Sequence, residues 1–317
     1  MKTELYEVLN EQEGERLDKF LSIIYPDQSR SFFQKIIKDN KILVNDKPEK
    51  ANYRIKCDDI INITIPDAVE TQIVPEDIPI DIIYEDDDVL IVNKPKGMVV
   101  HPSAGHYTGT LVNAIMYHCK DSLSGINGEI RPGIVHRIDM DTTGSLIVCK
   151  NDESHINIAK QIKDHTVKRI YEGIVIGNLK DDQGTIEGPI GRHPIDRKKM
   201  CINEKNGKPA ITHYKVLERF GNYTYAQFKL ETGRTHQIRA HLAEAGYPLI
   251  GDRKYGNPKV NAMVGRRFNL NTQLLHACRI EFGECRGIFA YLSGRKFVSP
   301  PSQEFMRITR ELTGIDI

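Results

Sequence analysis

The segment IVHRIDMDTTGSLIVCK, residues 134–150, places four ionisable side chains between an apolar pair and a longer apolar run. Apolar runs rich in Ile and Val predict buried strands, so the charges lie where two such strands are expected to meet. Buried charges are destabilising unless they are paired. The segment therefore predicts either a structural ion pair or a site at which a carboxylate takes part in chemistry. The four side chains are His136, Arg137, Asp139 and Asp141.

The two aspartates have different sequence environments. The stretch Asp-Thr-Thr-Gly at 141–144 has the composition of a turn, in which Asp141 can cap backbone N–H groups. Asp139 is the freer carboxylate and lies close to Arg137 along the chain. We therefore expect Asp141 to shape the turn and Asp139 to be available for chemistry.

A second polar segment, ETGRTHQIRAH at 231–241, supplies Arg234 and Arg239 at the opening of a predicted helix. An arginine against a buried aspartate would hold Asp139 ionised. An ionised carboxylate suits a nucleophile or a group that stabilises developing positive charge. On these residues alone, a buried ion pair without a catalytic role is the alternative.

Other kinds of site find less support in the sequence. A metal could be considered with His136, Asp139 and Asp141 as ligands, completed by His236 and His241. The last two are five positions apart, about 140° around a helix axis, so they cannot chelate from one face. The sequence contains no cysteine cluster, no G-x-S-x-G elbow and no glycine-rich nucleotide-binding loop. We expect no metal and no nucleotide cofactor, and a metal-dependent nuclease is disfavoured.

Composition describes an ordinary globular protein, with 39% apolar and 27% charged residues in 317. This length accommodates one large domain and one small domain. The N-terminal residues MKTELYEVLN lack the apolar core of a signal peptide, and no apolar run approaches the length of a membrane span. The six cysteines are scattered along the chain. We expect a cytoplasmic, monomeric protein with reduced thiols that does not bind membranes.

The net charge of +1 conceals an uneven distribution. Residues 28–56 contain eight Lys or Arg against three acids, whereas residues 67–88 contain nine acids and no base. A basic block of this kind indicates a surface for a polyanion, although a solvated helical face is the alternative. The pattern predicts a small domain at 1–66, an acidic linker at 67–88 and a large domain at 89–317.

Hydrophobic periodicity predicts two helices and a small hairpin in the first domain, with Ser29 as the N-cap of the second helix. In the large domain it predicts strands in VLIVNKP, in SLIVCK and at 169–177, 212–220 and 223–231. Two helices are predicted there, at 110–119 and at 235–246, the second with Thr235 as its N-cap. Strands dominate and occur in runs. This favours an α+β fold with a mixed or antiparallel sheet over a regular βαβ alternation.

Four motifs in the large domain resemble those of the RluA/RluD-type pseudouridine synthases. The segment IVHRIDMDTTGSLIV is similar to that family's His-Arg-Leu-Asp-x-x-Thr-Ser-Gly signature, and VLIVNKPKGMVVHPSAGHYTGTLVNAI looks like its first motif. The stretch LETGRTHQIRAHLAEAGYPLIGDRKYG resembles a second long signature, and PIGRHPIDRKKM with KPAITHY looks like the RluD branch. Before them, GERLDKFLS and SRSFFQKIIKDNKILVNDK resemble the small RNA-binding domain first described in a ribosomal protein.

The resemblance implies roles for individual residues. Asp139 matches the family's essential aspartate, Arg239 the arginine paired with it, and Tyr171 the active-site tyrosine. Arg137 matches an arginine that contacts RNA beside the aspartate. We expect further RNA contacts from basic residues of the small domain and of the second polar segment, namely Arg16, Arg30, Lys35, Lys41 and Arg234.

The small domain departs from the family pattern at three positions. The family commonly has glycine where this chain has Asn40, Asp46 and Asp58. Asn and Asp tolerate left-handed backbone better than other non-glycine residues, so we expect the turns to be kept.

The resemblance implies an RNA pseudouridine synthase with a pseudouridine-synthase-like sheet domain and a small N-terminal α/β RNA-binding domain. Its substrate would be large-subunit ribosomal RNA or its precursor particle. The target base would be flipped out of the RNA, with Tyr171 stacking on it and accepting the C5 proton late in the reaction. The alternative is a non-catalytic RNA-binding factor of ribosome assembly. The presence of Asp139, Tyr171 and Arg239 together argues against that alternative.

Overall fold

The computed structural model describes residues 2–25, 28, 30–65, 73–103, 105–120, 122–124 and 132–314. Described residues up to 65 form one unit, and those from Ile73 onward form a second, larger unit. Among all the residues described by the structure, no helix combines the length and the apolar character needed to cross a membrane.

The N-terminal unit packs two helices, α1 (Leu17–Ile24) and α2 (Arg30–Lys38), with a four-stranded antiparallel sheet. A short 3₁₀ helix spans Asn10–Gln12. The sheet has the order β1-β4-β2-β3, formed by β1 (Lys2–Glu7), β2 (Ile42–Val44), β3 (Lys47–Pro48) and β4 (Ile60–Ile65). Apolar side chains of both helices and of the inward face of the sheet form its core, among them Leu17, Phe20, Leu21, Phe33, Ile36, Ile37, Ile42, Val44, Ile61 and Ile63.

Three turns of this unit use left-handed backbone at non-glycine residues. Asn40, Asp46 and Asp58 have φ angles of 54°, 61° and 67°. Asn and Asp at these positions therefore adopt the left-handed backbone that glycine most readily provides. The expectation that the turns are kept is confirmed.

The second unit is built on a large sheet, which has nine strands among the described residues. The strand order is β5-β6-β7-β14-β8-β13-β12-β9, with β15 beside β14. These strands are β5 (Asp81–Glu85), β6 (Val89–Lys94), β7 (Thr143–Cys149), β8 (Val167–Ile176), β9 (Gln183–Glu187), β12 (Ile211–Phe220), β13 (Tyr223–Leu230), β14 (Leu275–Phe282) and β15 (Lys296–Val298).

A separate hairpin and five α-helices complete the described part of this unit. The hairpin pairs β10 (Ile190–Arg192) with β11 (Met200–Ile202). A 3₁₀ helix spans Gly287–Leu292. The helices are α3 (Leu111–Cys119), α4 (Asp152–Lys163), α5 (Gln237–Glu244), α6 (Pro258–Phe268) and α7 (Gln303–Thr313).

The large sheet is mixed, as the sequence predicts. Strands β7 and β14 pair in parallel through His276 with Thr143 and Ala277 with Gly144, and the other neighbouring pairs are antiparallel. The α+β fold class with a mixed sheet is therefore confirmed. The predicted strands in the large domain all form, and Thr110 caps α3 by accepting a hydrogen bond from the Asn113 N–H.

Strand β7 is buried on both faces and explains the long apolar run that follows the charged segment. Leu146 and Val148 pack in a core that includes residues of α3 and α5. Ile147 and Cys149 point to the opposite core, which includes Ile158 of α4. Because side chains alternate along a strand, a strand covered on both faces reads as continuously apolar.

The predicted acidic linker at 67–88 needs correction. Residues from Ile73 onward belong to the second unit, and β5 pairs with β6 through Asp81–Asn93 and Ile82–Val92. An acidic strand is tolerated here because β5 lies at the edge of the sheet, where its polar side chains reach solvent. The predicted N-cap Ser29 and residues 66–72 lie outside the described residues.

Asp18 is the polar anchor of the N-terminal unit, because its buried carboxylate binds the side chains of Arg16, Arg30 and Gln34. Burial acts to raise the pKa of Asp18, but these hydrogen bonds outweigh it and leave the pKa below its usual range. The stabilisation is therefore complete above the pKa of an unfolded-state carboxyl, about 3.9, and is lost as the pH falls below it.

We predict that Asp18→Asn destabilises this unit by about 1.5–3 kcal/mol at neutral pH, because charged hydrogen bonds are lost. The measurement is hydrogen exchange of the α1 and α2 amides in the full-length protein. Asp39→Asn is the matched control, since Asp39 is exposed and its change should leave exchange unaltered. Equal protection in the two variants would show that Asp18 is not an anchor.

Candidate active site

Asp139 lies in a tight turn directly before β7. The Thr142 N–H donates to the Asp139 carbonyl oxygen at 3.1 Å, which closes the turn. At the start of β7, Gly144 has a φ of 112°, and a Cβ there would lie 2.3 Å from the carbonyl oxygen of Ala277. Only glycine therefore allows β7 to approach β14 this closely. The glycine of the signature fixes where the turn meets the sheet.

Lys94 anchors the same turn from below. It is the last residue of β6 and is 1% exposed. Its ammonium donates to the carbonyl oxygens of Met140, Met98 and Pro95, each at 2.8 Å. Burial lowers the pKa of Lys94 to about 7, and the charges of Asp141 and Asp139 oppose that shift. The turn that presents Asp139 is thus held by three hydrogen bonds from the buried Lys94 side chain.

The expectation that Asp141 caps this turn is wrong. Among the described residues, no backbone N–H donates to the Asp141 carboxylate; the turn is closed by the Asp139 carbonyl and fixed by Lys94. The Asp141 carboxylate instead faces the wider cleft near Lys94. Asp141 therefore supplies negative charge near the buried Lys94 side chain, where it opposes the lowering of the Lys94 pKa, and does not determine the turn geometry.

Arg239, on α5, connects Asp139 to a second carboxylate. Its Nη1 donates to Asp139 Oδ2 at 2.8 Å. Its Nε and Nη2 donate to Asp252 Oδ2 at 2.7 Å and Oδ1 at 2.9 Å. Burial acts to lower the pKa of Arg239, but the hydrogen bonds and charges of Asp252 and Asp139 outweigh it and raise the pKa. Arg239 therefore stays charged and stabilises negative charge on Asp139.

Asp252 holds the guanidinium in one plane. The carboxylate is fully buried and also accepts hydrogen bonds from the N–H groups of Lys254 and Tyr255, at 2.9 and 3.1 Å. With both carboxylate oxygens occupied, Asp252 fixes two nitrogens of Arg239 and leaves the third directed at Asp139. Asp139 is the only one of the three side chains with substantial exposure, at 22% against 6% for Arg239 and 0% for Asp252.

Tyr171 and Arg169 project from the same side of β8 into the cleft that contains Asp139. Tyr171 is 5% exposed, and burial raises its pKa to about 12. The Arg169 guanidinium is also buried, and its Nε has no hydrogen-bond partner among the described residues. Its Nη2 donates to the Glu231 carbonyl at 3.4 Å. The floor of the cleft thus combines an aromatic ring with a poorly paired cation.

His236 stands at the opening of α5, where the sequence predicts Thr235 as the cap. The structure assigns the N-cap to His236, which has left-handed backbone with φ 54° and makes no side-chain cap hydrogen bond. Instead its Nδ1 lies 2.8 Å from the Tyr255 hydroxyl. The prediction for Thr235 is therefore wrong, because the chain enters this helix through a left-handed residue whose side chain turns toward the cleft.

Two clefts meet at Asp139. The narrower has a volume of about 410 Å³, including the solvent at its mouth, and reaches down to Tyr171 and Arg169. The wider, of about 1020 Å³, extends past Asp141 toward Arg253 and Lys254. Five residues line both clefts: Arg137, Ile138, Asp139, His236 and Arg239. The structure therefore brings the predicted set of Asp139, Tyr171 and Arg239 together at one site.

The predicted RNA contacts fall into two groups. Arg137 is exposed at the cleft, and Arg234 lines the narrower cleft with its Nε bound to the Pro209 carbonyl at 3.1 Å. The other four lie in the N-terminal unit. There Arg16 and Arg30 already use two nitrogens each on Asp18, while Lys35 and Lys41 are exposed. Their roles in binding RNA stay predictions.

Two of the three histidines considered as metal ligands, His136 and His241, have other partners. His136 Nε2 accepts from the Ile147 N–H at 3.0 Å, and burial lowers its pKa to about 3. His241 lies between Thr212 Oγ1 and the Gly188 carbonyl, at 3.0 and 3.1 Å. Each of these side chains is part of the packing of β7 or α5. The structure therefore does not bring them together with Asp139 as a ligand set.

Sequence reasoning missed several residues of the site, chiefly Asp252, Lys94 and Arg169. Asp252 lies in the GDRKYG stretch. The sequence signal for it was a single acidic residue placed one glycine after the apolar pair Leu249 and Ile250. A lysine at the end of the buried run VLIVNK and an arginine inside the strand VKRIYEGIVI were similar signals, since a charge in a buried strand needs a partner.

Comparison with known proteins identifies both units. Residues 88–244 match the family model of RNA pseudouridylate synthase, and residues 15–61 match that of the S4 domain. An uncharacterized RNA pseudouridine synthase of Bacillus subtilis is 49% identical over 87% of this chain and 88% of its own length. Ribosomal large subunit pseudouridine synthase D of Neisseria meningitidis is 44% identical over 85% of this chain and 72% of its own length.

The fold agrees with these matches. The structure of human RNA pseudouridylate synthase domain containing 4 aligns with a TM-score of 0.56 at 21% identity, covering 73% of this chain and 92% of that one. This likeness supports the fold of the larger unit. With the motif-bearing site and the sequence relatives, it establishes that the chain belongs to the RNA pseudouridylate synthase family, as an RNA pseudouridine synthase with an S4 domain.

Proposed function

We propose that this protein converts specific uridines of large-subunit ribosomal RNA to pseudouridine, with Asp139 carrying out the chemistry on a base turned out of the RNA. The observation that carries the proposal is the Asp139 carboxylate, partly exposed where two clefts meet and held by Arg239. The choice of RNA is supported by relatives named ribosomal large subunit pseudouridine synthase D.

The reaction needs a carboxylate but no oxidant and no energy source. The bond from ribose C1′ to N1 breaks, the uracil turns, and C5 bonds to C1′; C5 loses a proton and N1 gains one. Breaking a glycosidic bond develops positive charge at C1′, which a carboxylate stabilises or traps covalently. Asp139 is suited to this role because Arg239, itself fixed by Asp252, orients the Asp139 carboxylate through a charged hydrogen bond.

The narrower cleft suits a flipped uracil. A base inside an RNA helix cannot reach a carboxylate that lies within a cleft, so it must leave the stack. Tyr171 offers an aromatic face beside Asp139, and aromatic faces stack on unpaired bases. Burial raises the pKa of Tyr171 to about 12, so its phenol is protonated at neutral pH before the reaction begins. We propose that Tyr171 stacks on the flipped base; its part in accepting the C5 proton stays a prediction.

Positive charge surrounds the mouth of the site. Arg137, Arg253 and Lys254 line the wider cleft, which has the electrostatic character expected of a surface for a phosphate backbone. In the S4 domain we propose Lys35 and Lys41 as the freer RNA contacts, since Asp18 engages Arg16 and Arg30. A monomeric, cytoplasmic state stays a prediction.

We predict that deletion of the gene removes pseudouridine from particular positions of large-subunit ribosomal RNA. The measurement is transcriptome-wide pseudouridine mapping in cells with and without the protein. Expression of the wild type should restore the lost positions, whereas Asp139→Asn should restore none. Unchanged large-subunit positions, with loss in transfer or messenger RNA instead, would contradict the proposed substrate.

We predict that Asp139→Asn lowers the single-turnover rate of pseudouridine formation by at least about 10³-fold, because an amide neither attacks ribose nor stabilises positive charge. Asp141→Asn, two residues away, should stay within about threefold of the wild type, because no described hydrogen bond depends on that carboxylate. Both variants should bind RNA as the wild type does in a titration. Loss of turnover confined to Asp141→Asn would overturn the assignment.

A further inference from the structure

His236 is placed at the site by contacts that the reaction described above does not use. It lines both clefts beside Asp139, and its left-handed backbone turns the imidazole away from the helix that follows. One ring nitrogen, Nδ1, is bound to the Tyr255 hydroxyl at 2.8 Å. The other nitrogen, Nε2, has no partner among the described residues.

The direction of the hydrogen bond to Nδ1 follows from the other contacts of Tyr255. The Met200 N–H donates to the Tyr255 hydroxyl oxygen at 2.7 Å, so that oxygen is an acceptor in this contact. The described part of the chain offers the hydroxyl no acceptor other than His236 Nδ1. The Tyr255 proton therefore goes to Nδ1, and Nδ1 is an acceptor.

This contact fixes the tautomer of the imidazole. A neutral histidine that accepts at Nδ1 carries its proton on Nε2. Burial lowers the pKa of His236, and the charges of Arg239 and Lys254 act in the same direction, while Asp139 and Asp252 oppose them. At neutral pH the side chain is thus an uncharged ring that presents one N–H to the cleft.

We propose that His236 binds the target nucleotide by donating its Nε2–H to an acceptor oxygen, either a uracil carbonyl or a phosphate oxygen. This inference rests on the proposed function and extends it to the recognition of the substrate. A donor that faces a cleft and has no protein partner among the described residues is free to bind an acceptor oxygen of the substrate. A buried polar group left unpaired in the complex would instead weaken binding.

Tyr255 is then a positioning residue with three connections. It fixes the tautomer of His236, stacks on the Arg239 guanidinium at 5.0 Å from the ring centre, and accepts from Met200 of β11. The hairpin β10–β11 is therefore connected to the substrate donor through one hydroxyl group. Displacement of this hairpin would release the Tyr255 hydroxyl and with it the tautomer of His236.

The test uses the full-length enzyme and synthetic RNA containing a uridine that the wild type modifies. Three modified RNAs carry 2-thiouridine, 4-thiouridine or a flanking methylphosphonate at the target. A slower reaction of a thiouridine RNA would indicate a hydrogen bond to that uracil carbonyl, and a slower reaction of the methylphosphonate RNA would indicate a hydrogen bond to a phosphate oxygen. We expect one of these modifications to slow wild-type single turnover about tenfold, which is the effect of one lost hydrogen bond. His236→Asn, which keeps left-handed backbone accessible, should slow the unmodified RNA similarly and become insensitive to that modification.

Two further variants separate recognition from structure. His236→Gln carries an N–H donor near the position of Nε2 and should recover part of the rate and of the sensitivity. Tyr255→Phe should shift the ¹⁵N resonance of His236 Nδ1, which loses its hydrogen bond, and should slow turnover while leaving the signals of His241 unchanged. A wild-type spectrum showing the Nδ1–H tautomer would overturn the proposal. So would modified RNAs that slow His236→Asn as much as they slow the wild type. Absence of pseudouridine formation by the wild type on ribosomal RNA would instead overturn the proposed function.

Discussion

The buried guanidinium of Arg239, held between Asp252 and Asp139, is the interaction on which the rest of the site depends. Two carboxylates and one cation leave the trio with a net negative charge, and only Asp139 reaches solvent appreciably. Burial of the Arg239 guanidinium is tolerated because Nε and Nη2 donate to Asp252 and the Tyr255 ring covers one face of the group. The exposed carboxylate is thus oriented by groups that water does not reach.

Three distant parts of the chain must come together for this trio to form. Asp139 precedes the doubly buried strand β7, Arg239 lies on α5, and Asp252 lies in the loop before α6. Residues 139 and 239 are separated by 100 positions. The mixed sheet supplies the geometry, since β14 and β8 stand between β7 and the strands that lead into α5. Lys94 then fixes the position of the turn that carries Asp139 by donating to the Met140 carbonyl oxygen. Contacts from three parts of the fold therefore determine the position of the Asp139 carboxylate.

Much of this arrangement could be predicted from local sequence signals. The apolar runs, the turn residues and the family motifs gave the α+β mixed sheet and the grouping of Asp139, Tyr171 and Arg239. The partners of buried charges could not be predicted in the same way. A charged residue in a buried strand indicates that a partner is needed, but the sequence does not identify that partner. Asp252 and Lys94 were missed for this reason. Asp141 was expected to cap the turn, but its carboxylate faces the cleft near Lys94. The acidic strand β5 was mistaken for a linker because edge strands tolerate charge.

The dependence of Asp139 on Arg239 and Asp252 is tested most directly by a double-mutant cycle on the single-turnover rate at saturating RNA. The variants are Arg239→Met, Asp252→Leu and both together, compared at a temperature at which all are folded. If Asp252 acts through Arg239, the double variant should be no slower than Arg239→Met alone, within about 0.5 kcal/mol. Multiplication of the two single effects would contradict this account, because it would show that Asp252 contributes independently of the arginine.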